Sequence, residues 1–180
     1  MGSLIIRVIL DTKEDIFRDI ELPADASLET LHEGILSAFG IAPGEMAAFY
    51  TTNEQWDQLN EIPLLDMSPS EEPLMTMNLC PVNSVLGQRG QRLLYVFDFM
   101  ALWTFFVEYF SEGKNAEIAL PAVVMSYGNA PKEAPSKNFG SSESKEKGLF
   151  DDAFDDEEED DEEGFNDDEF DADSYSTEEW

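Results

Sequence analysis

Residues 93–110 read LLYVFDFMALWTFFVEYF, and their reading decides the fold class. Leu93 to Phe99 and Trp103 to Phe110 are dominated by aromatic and β-branched residues, joined by Met100 to Leu102. Such side chains suit a half-buried pleated surface and pack across neighbouring strands, so a strand pair is predicted here. Asp98 and Glu108 interrupt the run, which argues against a membrane span.

Working outward, Leu4 to Leu10 (LIIRVIL) is a second β-type run, broken at Asp11. From Ile16 to Leu22 the residues alternate, with Ile16, Arg18, Ile20 and Leu22 on one side and Phe17, Asp19 and Glu21 on the other. The two runs predict a hairpin connected by Thr12 to Asp15 and closed by Pro23, which has no amide hydrogen to donate. Ser27 then stands as a helix N-cap with Glu29 in the first turn. Leu28, Leu31, Ile35 and Phe39 fall on one buried stripe, and Gly40 supplies the left-handed stop. Short strands are expected over Met46–Thr52 and Ile62–Met67, the latter confined to an edge by Pro63. The pattern also predicts a polar turn at Asn53–Gln58, a loop at Ser68–Pro73 and one helical turn at Asn83–Leu86. Leu120 to Ser126 is the last expected core element. The order of hairpin, helix and further strands specifies an α+β class, a single domain over residues 1–138 with mostly antiparallel strands.

Residues 139–180 are read as a linker and a disordered acidic tail. Residues 151–180 contain eighteen Asp and Glu and no Lys or Arg, accounting for 18 of the 30 net negative charges. Mutual repulsion and low apolar content keep such a run from folding alone. Phe165, Phe170, Tyr175 and Trp180 punctuate it every five residues, a period that does not stay on one helix face. Separated aromatic stickers in a charged chain suit docking on a basic protein or imitation of a nucleic-acid backbone. The plainer reading is a solubilising tail.

Residues 1–150 hold ten basic and twenty-two acidic side chains. Direct nucleic-acid binding is not expected, because displacing condensed counterions needs a basic patch, and Arg89 with Arg92 is the nearest approach to one. The lone Cys80 excludes an internal disulfide and a multi-cysteine zinc site, and it reads as a small packing residue. The N-terminus lacks signal-peptide character, so a cytoplasmic location is expected and no membrane association. His32 is the one histidine; it flanks the apolar helix stripe and reads as a structural residue at the core edge. Asp98 reads as facing solvent or as an acceptor of backbone hydrogen bonds near the 100–102 turn, a structural role rather than a catalytic one, since no second carboxylate is placed beside it. The Walker, dinucleotide, H-E-x-x-H and G-x-S-x-G patterns are absent. Asp167, Glu169, Asp171, Asp173 and Glu178 loosely echo calcium-loop spacing, but Ala172 occupies the position that needs glycine. No catalytic residue, cofactor or metal site is therefore assigned.

Two segments carry a resemblance. Leu31 to Gly40, LHEGILSAFG, resembles an LH-x-x-I-x-x-AFG signature, and Tyr95 to Phe105, YVFDFMALWTF, resembles Y-x-YDFGD-x-W-x-H. Both are similar to the plasmid pRiA4b ORF-3-like family, also labelled as a passenger protein of the IS1096 insertion element. The resemblance spans about residues 3–135. Asp98, Phe99 and Trp103 keep the pattern, whereas Met100, Ala101 and Phe105 replace its glycine, acid and histidine. Any metal or acid–base role of an Asp–His pair is thereby lost, and the family implies no reaction. The expected function is a non-catalytic binding or adaptor module. Two alternatives stand beside it: a small-molecule site or enzyme whose pocket the fold assembles near Asp98, Trp103 and His32, and a mobile-element accessory or DNA mimic.

Overall fold

The structure is a computed structural model that describes residues 2–69, 72–114 and 119–136. The acidic tail, its aromatic residues and the calcium-like spacing lie outside the described residues. The chain folds as α+β around one antiparallel sheet. Strands β1 (Ser3–Leu10) and β2 (Phe17–Pro23) form the expected hairpin, followed by helix α1 (Leu28–Phe39). Strands β3 (Ala47–Thr52) and β4 (Gln58–Pro63), the short helix α2 (Val82–Leu86), β5 (Arg92–Phe97), β6 (Trp103–Glu112) and β7 (Ala122–Tyr127) complete the order. Across the sheet the sequence of strands is β4-β3-β5-β6-β1-β2-β7, with every neighbouring pair antiparallel.

Period-two alternation sorts each central strand into a helix-facing set and an opposite set. In β1 the helix-facing set is Leu4, Ile6, Val8 and Leu10, all buried; in β6 it is Trp103, Phe105 and Val107. On the opposite face the register aligns Asp19, Arg7, Glu108 and Arg92 in one row of alternating charge. Arg7 forks onto Asp19 at 2.7 and 2.8 Å and lies between the rings of Phe17 and Phe110, at 4.4 and 4.0 Å.

Helix α1 is built as its sequence indicates. The amide of Thr30 donates to Ser27 Oγ, and Gly40 adopts φ 69°, ψ 32°. Its remaining first-turn amides find acceptors that no local pattern announces. Leu28 N–H donates to Cys80 O at 2.9 Å and Glu29 N–H to Met77 O at 3.3 Å. The 76–82 segment thus satisfies groups that a helix start otherwise leaves to water. Arg18, 7% exposed, secures the other end by donating to Ala38 O and Tyr127 O, with its guanidinium 5.0 Å from the Phe39 ring.

Three expectations are corrected. Strand β4 covers 58–63 rather than 62–67, because Asn53 Oδ1 accepts the amides of Gln55 and Asp57 and reverses the chain early. Only Ile62 and Leu64 of the apolar run reach the core, while Leu65 and Met67 are exposed. Strand β5 stops at Phe97, since Asp98 takes φ 56° and opens the 98–102 turn. The 120–126 segment is not a core element: β7 is an edge strand paired with β2, and its Val123, Val124, Met125 and Tyr127 are exposed.

Phe105 is the test of this packing. It is fully buried against Phe39, Tyr95 and Trp103. Phe105→Ala is expected to cost about 3–5 kcal/mol in urea unfolding. Met100→Ala, at a residue 93% exposed, is expected to stay within about 0.5 kcal/mol of the parent.

Candidate functional site

One face of α1 carries Glu29, His32, Glu33, Leu36 and Ser37, at the i, i+3, i+4 spacing of a single helix surface. Opposite it lie the Ile41–Met46 loop and, beyond β4, Leu64 and Leu65. Together they enclose an open cleft of about 520 Å³. Leu64 is placed by its amide bond to Ala47 O, and the loop end by the bond from Asp98 N–H to Met46 O, both 2.9 Å. The cleft wall therefore hangs on the β3 and β5 ends of the sheet.

His32 forms the polar part of the cleft floor. It is 6% exposed, and its Nδ1 lies 2.7 Å from the hydroxyl of the fully buried Tyr95. The imidazole also meets the rings of Tyr95 and Phe97 at 5.9 and 6.2 Å. Burial drives its pKa below the ordinary imidazole value, opposed by the nearby Glu33 carboxylate. Burial likewise pushes the Tyr95 hydroxyl far above its ordinary value, so the phenol stays protonated. The phenol hydroxyl and Nδ1 share one hydrogen bond, whose direction is set by the imidazole tautomer. Nε2 has no hydrogen-bond partner among the described residues, and it is not sealed from solvent.

The other candidate residues lie elsewhere. Asp98 and Trp103 do not line the cleft. Asp98 Oδ1 accepts the amides of Met100 and Ala101, each at 3.1 Å, closing the turn between β5 and β6. Trp103 stacks on Phe105 inside the core. Cys80 is buried beside Ser84, with Sγ 3.5 Å from Oγ. Among the described residues no group of three or more His, Cys, Asp or Glu side chains is close enough to hold a metal ion. Among them, too, no helix is long and apolar enough to cross a membrane. Sequence reasoning did not assemble the cleft. The i, i+3, i+4 set on α1 was visible, but its opposite wall comes from segments with no pattern of their own.

The His32 environment has a pH signature. The folded state favours neutral imidazole, whereas the unfolded chain takes up a proton below about pH 6.5. The stability His32 contributes is thus complete above that value and declines as the pH falls below it, until the lower folded pKa is passed. Urea unfolding at pH 7.5 and 5.5 is expected to show a loss in the parent that His32→Gln reduces. Equal losses in both proteins would remove this role of His32.

The model of the plasmid pRiA4b ORF-3-like protein family matches residues 3–179. The match continues past residue 135, where the motif resemblance ended, through the acidic segment. No curated protein matches significantly. Among solved structures, the chain is similar to the crystal structure of a protein of unknown function, MM3350, from Methanosarcina mazei Go1. That likeness has a TM-score of 0.59 at 16% identity, covers 72% of this chain and 71% of the other, and concerns the fold alone. With nearly its whole length matched, this chain belongs to the plasmid pRiA4b ORF-3-like family.

Proposed function

We propose that this chain is a non-catalytic binding module of the cytoplasm. A ligand is held in the α1 cleft, and the acidic, aromatic C-terminal segment adds long-range attraction for basic partners. The observation that carries the reading is the cleft itself. Its volume lies within the range of about 300–1,000 Å³ typical of ligand pockets. Its bed is apolar, from Leu36, Ile41, Met46 and Leu64, with one buried imidazole as the fixed polar group.

The engagement of the reactive side chains supports binding over catalysis. Nδ1 of His32 is committed to Tyr95, Asp98 to backbone amides, and Cys80 to a buried position outside the cleft. General acid–base or nucleophilic chemistry needs two such groups within reach of one reacting atom.

Amide shift mapping with a mixed fragment set is expected to perturb Glu33, Ser37, Gly44 and Leu65 together. Shifts clustering away from these residues would overturn the cleft as the binding surface. For the tail, the full chain is expected to bind a basic reagent protein such as lysozyme with an affinity that falls as salt rises from about 50 to 200 mM, a range across which the Debye length shrinks through about 10 Å. A chain ending at Asn138 is expected to bind far more weakly. Equal binding by the two chains would remove the tail from the proposal.

A further inference from the structure

We propose that the helix-free face of the sheet pairs with the same face of a second copy of this chain. This surface lies apart from the α1 cleft and does not depend on it. Both helices bury their apolar residues in the core on the other side of the sheet. An antiparallel sheet covered on one side ordinarily turns polar residues outward on the other. Here the row next to the charged one is apolar. The register aligns Tyr127, Phe17, Ile9, Phe106, Leu94 and Tyr50 across six strands, with Phe17 and Tyr127 stacked at 5.3 Å.

Three features of this face fit one two-fold axis, running parallel to the strands between β1 and β6. That operation lays β2 over β5 of the second copy and β1 over its β6. The charged row of Asp19, Arg7, Glu108 and Arg92 is its own complement when reversed, so Asp19 meets Arg92 and Arg7 meets Glu108. The apolar row falls on itself under the same axis, Phe17 over Leu94 and Ile9 over Phe106. The relief matches as well. On the β5–β6 half, Trp56 folds over the sheet, 4.9 Å from the Phe106 ring and 5.2 Å from the Arg92 guanidinium, and Leu94 is 3% exposed. On the β2–β7 half, Met125 and Tyr127 are 52% and 56% exposed. The two-fold seats the Trp56 turn of each copy on the open half of the other. Aligned sheets about 10 Å apart make a sandwich of ordinary geometry, and the axis closes the assembly at two copies.

The test is sedimentation velocity on the full chain as its concentration is raised, at about 50 and 500 mM salt. A reversible dimer is expected. It tightens at the higher salt, because screening weakens the repulsion between two copies of net charge −30. That trend is opposite in sign to the one expected for the acidic segment with a basic protein. M125E/Y127E charges two exposed positions of the open half and is expected to weaken the dimer about tenfold or more. R92E sets a carboxylate opposite Asp19 of the second copy and is expected to weaken it too. L79E, at a residue 64% exposed and outside the sheet, is expected to leave the dimer unchanged. Isotope-filtered NOEs in a mixed-label sample are expected to join the Trp56 ring to Met125 and Tyr127 of the other copy. They are read on the parent chain, so they decide the matter even where a variant unfolds. A monomer at millimolar concentration in both salts overturns the proposal, as does a dimer indifferent to both M125E/Y127E and R92E. NOEs joining β7 to β7 also overturn it, in favour of pairing at the edge of the sheet.

Discussion

The layer of rings between α1 and the sheet is the constraint on which the other features depend. Phe39 of the helix meets Phe105 of β6 at 4.9 Å, Phe105 meets Tyr95 of β5 at 5.7 Å, and Tyr95 meets Phe49 of β3 at 4.6 Å. These rings run from the end of α1 across three neighbouring strands, and Phe49, Tyr95 and Phe105 are fully sealed. Large rigid rings pack with few voids, and displacing one disturbs its neighbours. Tyr95 gives the layer its second use. Its ring belongs to the core and its hydroxyl holds His32, so core packing and the cleft floor share one side chain.

That arrangement bears on the motif departures. The histidine of the family pattern falls at position 105, where this chain has Phe. Phe105 lies in the core beside Tyr95, and His32 meets the same tyrosine from the helix side. Met100 and Ala101, the other two departures, lie exposed in the turn that Asp98 organises. Asp98 keeps its place because the turn needs its carboxylate as an acceptor for two amides. The lost residues therefore divide between a core position and solvent, and neither reaches the cleft.

Charge and apolar surface are partitioned in a related way. The face of the sheet away from α1 carries an alternating row of Asp19, Arg7, Glu108 and Arg92, in which each charge has an opposite neighbour. Cross-strand pairs of this kind are mildly favourable, whereas like charges directly opposite are not. The cleft, by contrast, gathers carboxylates without a basic partner among its lining residues. The two charged surfaces thus differ in kind: one is internally balanced, whereas the other has no basic residue in its lining.

The local elements were legible in the sequence because short-range periodicity encodes them. The β1–β2 hairpin follows from alternation, α1 from its apolar stripe with Ser27 and Gly40 at its ends, and the β5–β6 pair from its aromatic and β-branched residues. The polar strand β4 and the exposed edge strand β7 escaped, since an edge needs less apolar content than a centre and local pattern does not reveal which side is covered. Family membership was also legible, through LHEGILSAFG and YVFDFMALWTF. Tertiary structure alone decided the site. His32 and Tyr95 are 63 residues apart, and the cleft joins α1 to two segments that meet it only when β3 and β5 pair. Local sequence pattern records which face of an element is apolar; the contacts between elements, and the depressed pKa they impose on His32, arise only on folding.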